Sequence, residues 1–229
     1  AANNNLQEQL QSEAAMKSNL LRQFSPKVVD KLMDGRIGAG DRMESTILCS
    51  DIRGFTTMSA GMHPKDVVAM LNDYFSELTP IIFRYDGTVD KYIGDSILAV
   101  FGSPEPDDDQ CEKAVRAALE IQSKVKEVNQ DRAKRKRPIC QIGIGIHCGE
   151  VLHGFIGSPE RMEFTVIGDA VNRASRFCDA AAAEEVLISH TVYQRVYMLV
   201  EAKEKKLKTK HVEEGELEGY SIVGLKTGR

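Results

Sequence analysis

Apolar positions change their spacing several times along this chain, and each change marks an element. The run Ser45-Thr46-Ile47-Leu48-Cys49 is short and continuous, so it predicts a buried strand, and it ends on the polar pair Ser50-Asp51. From Pro64 to Tyr85 the spacing widens to Val67, Met70, Leu71, Tyr74, Phe75 and Leu78, one face of a helix. Asp86-Gly87 marks a turn, and Thr88 to Tyr92 and Ser96 to Phe101 read as a hairpin whose connection carries Gly94-Asp95. A second helix follows the acidic run Asp107-Asp108-Asp109, with Cys111, Val115, Ala118, Gln122, Val125 and Val128 on its apolar side. Ile139 to His147 and Val151 to Ile156 are rich in β-branched residues and predict a further hairpin turning at Cys148-Gly149-Glu150. Gly168-Asp169 opens a helix over Ala170 to Ala183, followed by a strand Val186 to Ser189, a short helix from Thr191 and two or three strands ending near Val223.

Ahead of this alternating region, Leu6 to about Met33 is built of good helix formers with Leu6, Leu10, Met16, Leu20, Leu21 and Phe24 loosely on one side. Two readings stand for it, a dimerising signalling helix and a surface helix packed on its own domain. Pro26 interrupts the helix or starts a new one at Ser25, and Gly35 through Gly40 is expected to be a flexible joint. The predicted division is therefore 1–40 as connector and joint and 41–229 as the main domain. Its α+β class follows from strands and helices that alternate around a mixed, mainly antiparallel sheet with a ferredoxin-like heart.

Composition narrows the function classes. With 229 residues, 42% hydrophobic and 28% charged, the chain belongs with globular domains that fold by burial. A net charge of −4 gives no global reason to expect nucleic acid or an anionic membrane as partner, and Lys134-Arg135-Lys136-Arg137 lacks the interleaved aromatics of a nucleic-acid surface. Cys49, Cys111, Cys140, Cys148 and Cys178 lie mostly inside apolar runs with no CxxC spacing, so reduced core thiols in a cytoplasmic setting are expected. His147, Cys148 and His153 do not form a convergent tetrahedral set for zinc. No phosphate-loop or dinucleotide fingerprint occurs. The start without Met leads to the expectation of a longer parent with an upstream sensor or regulatory segment.

Two acids carry the sharpest chemical signal. Asp51 and Asp95 each interrupt an apolar strand context, and a close pair of carboxylates is costly unless a cation neutralises it. Two oxygen ligands leave coordination positions for water and phosphate oxygens, which suits Mg²⁺ or Mn²⁺ beside a nucleoside triphosphate. Asn172 and Arg176 are four apart and share one helix face.

Three segments in order carry a resemblance: Ser50-Asp51-Ile52-Arg53-Gly54-Phe55-Thr56, Lys91-Tyr92-Ile93-Gly94-Asp95-Ser96, and Phe164 through Arg176 with Thr165, Gly168-Asp169, Asn172 and Arg176. Over roughly Met43 to Val223 the chain resembles class III adenylate and guanylate cyclases, bacterial type, in the subgroup with Thr at the position of Thr165. The resemblance implies a head-to-tail homodimer with two composite sites, converting ATP to cyclic AMP and pyrophosphate. It implies that Asp51, Asp95 and the main-chain carbonyl of Ile52 hold two divalent cations, and that backbone N–H groups around Gly54, Phe55 and Thr56 receive phosphate oxygens. Lys91 and Thr165 are implied to read the purine, Asn172 to place the ribose and Arg176 to stabilise charge at the reacting phosphorus. A Lys donates to adenine N1 but would face the N1–H of guanine, which favours ATP; guanylate cyclases that resemble this chain elsewhere carry Glu there. A guanylate cyclase and a catalytically silent dimerisation or sensing module are the alternatives. The lysine that many relatives place on a C-terminal strand has no counterpart in register over 213–219; Lys206, Lys208, Lys210 and Arg161 could substitute for it, and none of them is singled out.

Overall fold

The computed structural model describes residues 14–21, 23–34, 40–207 and 217–226. Its centre is an eight-stranded mixed sheet in the order β2-β3-β1-β4-β6-β8-β7, with β5 paired to β4 off that path. The strands are β1 (Asp41–Ile52), β2 (Thr88–Ile93), β3 (Ser96–Phe101), β4 (Ile142–Ser158), β5 (Arg161–Ile167), β6 (Val186–Ser189), β7 (Val200–Leu207) and β8 (Leu217–Leu225). All neighbours run antiparallel except β4 and β6. The helices are α1 (residues 14–20), α2 (Pro26–Met33), α3 (Phe55–Ser59), α4 (Pro64–Arg84), α5 (Gln110–Lys134), α6 (Asp169–Ala180) and α7 (His190–Val196). The stretch β1-α4-β2-β3-α5-β4, with sheet order β2-β3-β1-β4, is the predicted ferredoxin-like heart.

The two-residue period of β1 divides the core. Leu48 and Ile52 face α4 and α5, where Met70, Tyr74, Leu78, Ala114, Ala118 and Ile121 complete the larger cluster. Ile47 and half-buried Cys49 face the other way, onto a second cluster with Leu98, Val100, Val151, Val166, Ala170 and Ala174. Asp51 has the parity of Ile47 and Cys49, so it lies on the α6 side. Each fully buried Leu, Ile or Phe contributes about 1.5–3 kcal/mol of transfer free energy, and these two faces hold most of the large buried side chains.

The expected hairpin turning at Gly149 is corrected by the structure, because β4 runs unbroken through it. Residues 142–153 pair with β1, and from Leu152 to Ser158 the strand pairs with β5. The turn comes later, between Ser158 and Arg161. Gly149 marks a close approach instead, since a Cβ there would sit 3.1 Å from the Ala170 methyl of α6. Gly145 is tighter still: a Cβ would overlap the backbone of Phe177 and Cys178. Gly145→Ala therefore unseats α6 from β4 and is expected to lower stability by at least about 3 kcal/mol in urea titration. Gly61→Ala, where a Cβ would meet only the Met58 carbonyl oxygen at an ordinary 4.0 Å, should stay within about 0.5 kcal/mol.

Pro26 is the first residue of α2, with Ser25 in extended geometry before it, so a new helix starts there as one of the two readings has it. Ser25 Oγ donates to the Val89 carbonyl at 3.0 Å, Lys27 Nζ to the Asp86 carbonyl at 3.2 Å and Lys31 Nζ to the Pro104 carbonyl at 2.8 Å. These bonds fix α2 against the β2–β3 hairpin. Of the expected joint from Gly35 to Gly40, residues 35–39 lie outside the described residues, as does 1–13 of the connector. The acidic run before α5 acts differently from a side-chain cap: Asp107 accepts from the Asp109 N–H at 2.9 Å and from Lys113 at 2.7 Å, while Asp109 makes no side-chain cap bond. All five cysteines are free thiols, buried except for half-buried Cys49. Among the described residues no helix is long and apolar enough to cross a membrane.

Candidate active site

The end of β1 and the tip of the β2–β3 hairpin bring Asp51 and Asp95 together. Gly94 holds φ +62° in the two-residue connection, a conformation that L side chains rarely adopt, and so sets the tip that carries Asp95. Asp95 Oδ2 accepts from the Ile52 backbone N–H at 3.2 Å. Ser96 Oγ donates to Asp51 Oδ1 at 2.7 Å, and Arg53 donates to Asp51 Oδ2 at 3.1 Å. Burial, then the neighbouring Asp51 charge, push the Asp95 carboxyl above the ordinary carboxylate range.

Arg53 is a site residue that sequence reasoning passed over. Its guanidinium also donates to the Cys178 carbonyl near the end of α6, and it occupies the space that a side chain at Gly143 would fill. Two carboxylates against this one guanidinium leave a residual negative charge, and all the ligating atoms are hard oxygens. That donor set fits Mg²⁺ or Mn²⁺. Among the described residues no group of three or more His, Cys, Asp or Glu converges, so a cation at Asp51 and Asp95 completes its shell with main-chain, water or ligand oxygens. The first turn of α3 follows directly, with Gly54 at φ +70° and open space above its Cα. The Phe55 and Thr56 N–H groups open that helix and have no intrahelical acceptor.

A second cluster gathers Lys91 and Thr165 around two acids. In the hydrogen-bonded order, β3, β1 and β4 lie between β2 and β5. Yet Thr165 Oγ1 donates to Asp90 Oδ2 at 2.9 Å, so the β4–β5 ribbon curls over the face that holds Leu98, Val100 and Val166. Lys91 Nζ lies 3.7 Å from the same Asp90 oxygen and 3.0 Å from Glu163. The register of β2 shifts between Val89 and Lys91, which makes Asp90 the extra residue of a bulge and turns it and Lys91 toward the same cluster. Burial pushes the Asp90 carboxyl up to about 6, against the pull of the Thr165 bond and of Lys91. Asp90 and Glu163 were absent from the sequence expectations; an acid inside the β-branched run Thr88-Val89-Asp90 was the available signal.

Asn172 and Arg176 sit one turn apart on α6, Asn172 exposed and Arg176 half-buried. The opposite side of that helix buries Ala170, Ala174, Phe177 and Cys178. Of the substitutes for the C-terminal lysine, Arg161 begins β5 and Lys206 lies on β7, while Lys208 and Lys210 fall outside the described residues.

Residues 39–225 match the family described as the adenylate and guanylate cyclase catalytic domain. An adenylate cyclase of Anabaena cylindrica is 37% identical over 178 residues, covering 76% of this chain and 34% of its own length. The chain thus spans about a third or less of the curated relatives it matches. Among solved structures, the guanylyl cyclase Cya2 is similar with a TM-score of 0.78 at 34% identity, covering 82% of this chain and 96% of that one. The adenylyl cyclase CyaB from P. aeruginosa has a TM-score of 0.78 at 30% identity, covering 84% of this chain and 98% of that one.

Proposed function

The chain belongs to the adenylate and guanylate cyclase catalytic domain family, and from that premise we propose that it is an adenylate cyclase acting on ATP at composite sites of a head-to-tail homodimer. The observation that carries the choice of base is the cluster in which Lys91 and Thr165 meet at Asp90. Lys91 has donors alone, which suits adenine N1, and a Thr165 oxygen can accept from the adenine amino group. Guanine would set its N1–H against the ammonium, leaving a donor unsatisfied at about 1–3 kcal/mol.

Each group then has a task that follows from its chemistry. Asp51, Asp95 and the Ile52 carbonyl hold the two divalent cations, which supply charge neutralisation of the triphosphate and a lower pKa for the ribose 3′-hydroxyl when bound. The first-turn N–H groups near Gly54, Phe55 and Thr56 receive phosphate oxygens. Asn172 orients the ribose, and Arg176 stabilises the negative charge that grows on the non-bridging oxygens as the 3′-oxygen attacks the α-phosphorus in line. Lys91 and Thr165 of one protomer serve the carboxylate pair of the other, as do Asn172 and Arg176.

The test is incubation of the purified chain with Mg²⁺ or Mn²⁺ and either ATP or GTP, with chromatographic detection of the cyclic product. Cyclic AMP should dominate; a dominance of cyclic GMP would make it a guanylate cyclase, and no product with either nucleotide would make it a silent module. Base reading is checked further by Lys91→Glu with Thr165→Cys. The ratio of kcat/KM for ATP over GTP should fall at least about tenfold, equivalent to about 1.4 kcal/mol. Asp90 and Glu163 repel the new carboxylate, so loss on ATP should exceed gain on GTP.

A further inference from the structure

Asp90 differs from its neighbours in the purine-facing cluster by being almost wholly buried, its side chain 4% exposed against 28% for Lys91 and 57% for Glu163. Sinking a carboxylate into a strand costs several kcal/mol unless its hydrogen bonds and a cation offset the loss of water. The bulge that puts it there also breaks the regular ladder of β2. Both costs fall at one position, beside the two residues assigned above to base reading.

The chemistry of the contact shows what they achieve. An ionised carboxylate accepts hydrogen bonds and donates none, so the 2.9 Å contact obliges the Thr165 hydroxyl to be the donor. A hydroxyl carries one proton. Once that proton points at Asp90, the oxygen shows lone pairs to every other neighbour. Adenine presents an amino donor at C6, whereas guanine presents a carbonyl oxygen there. We infer that Asp90 is a positioning residue for base choice: it takes the Thr165 proton and turns a hydroxyl that could face either purine into an acceptor matched to the amino group of adenine. Its second contact, to Lys91, steadies the ammonium that faces N1. Around neutral pH the carboxyl is ionised, as an acceptor must be, because burial raises it to about 6 and no further against the Thr165 bond. The inference rests on the adenylate cyclase reading and adds to it the device that fixes the polarity of the pocket.

Asp90→Asn tests it without changing shape. The carboxylate offers two acceptor oxygens to the Val166 N–H, the Thr165 hydroxyl and Lys91, whereas the amide offers one and adds an N–H₂ donor beside them. The hydroxyl, which alone of the three donors can also accept, is then no longer held as a donor to residue 90 and can aim its proton at the base. The ratio of kcat/KM for ATP over GTP is expected to fall at least about tenfold, by loss on ATP with GTP held or improved. Asp90→Ala frees the hydroxyl without reversing it and should lower the ratio by a smaller factor, about three- to fivefold. In a Thr165→Val background, which has no hydroxyl to orient, Asp90→Asn should leave the ratio within about twofold. A purely structural Asp90 would depress both nucleotides alike. An unchanged ratio in both Asp90 variants, or the same fall in the Thr165→Val background, overturns the inference. A wild-type protein that prefers GTP overturns instead the reading on which it rests, and that result is seen before any variant is made.

Discussion

Asp95→Ala and Asp51→Ala are each expected to lower cyclic nucleotide formation by about a thousandfold or more, since about 4 kcal/mol of charge stabilisation at the reacting phosphate goes with either carboxylate. Removing one acid leaves the other as the single side-chain oxygen ligand in the cluster. Mn²⁺ binding, followed by electron paramagnetic resonance without nucleotide, should weaken in parallel. The two variants should part company in stability. Asp95 is held against burial and against the charge of Asp51, so its loss relieves repulsion and the metal-free thermal midpoint should hold or rise. Asp51 instead pairs with Arg53, whose Nε is already buried without a partner. Its loss leaves that guanidinium with the Cys178 carbonyl and should cost about 1 kcal/mol. Near-normal activity in either variant, with Mn²⁺ binding retained, would remove the carboxylate pair from the mechanism.

Mixing two dead proteins should produce a live one. Asp51→Ala damages the carboxylate side of each composite site and Arg176→Ala the α6 side, and in a head-to-tail dimer these sides come from different protomers. A heterodimer then keeps one intact site and concentrates both lesions in the other. Random exchange of equal amounts makes about half the dimers mixed, so about a quarter of wild-type activity should return. The measurement is cyclase activity against time after mixing, with subunit exchange followed separately by mass-tagged chains. Exchange without rescue would show that each protomer completes its own site.

How far the sequence reached depended on whether a residue reported its role locally. The strand Val186–Ser189 was legible to the residue because three apolar positions, Val186 to Ile188, stand between Glu185 and the polar pair Ser189-His190. Helix α4 was legible because its buried residues recur at helical spacing from a proline at its first turn. Gly149 misled because glycine has two uses, and in β4 it clears space for α6 rather than turning the chain. Arg53 and Asp90 stayed hidden for another reason. Their partners, Cys178 and Thr165, are 125 and 75 residues away, and a bulge leaves no mark in a two-residue alternation. Asp51, Asp95, Lys91 and Thr165 were found through motif order, and folding gathers them into two clusters. The partners that tune each cluster are distant in sequence and meet in the fold.

Helix α2 has a mechanical consequence. Its anchor points, the carbonyls of Val89, Asp86 and Pro104, all belong to the hairpin unit or its two ends and none to the central β1–β4 pair. A load applied along α2 is therefore delivered first to the hairpin whose flank bears Asp90 and Lys91 and whose tip bears Asp95, and it passes through β3 to the strand that carries Asp51, which β4 holds on its other edge. Asp95 stands on the hairpin tip and Asp51 accepts from Ser96 of β3, so a displacement of the helix has a short path to the gap between the two carboxylates.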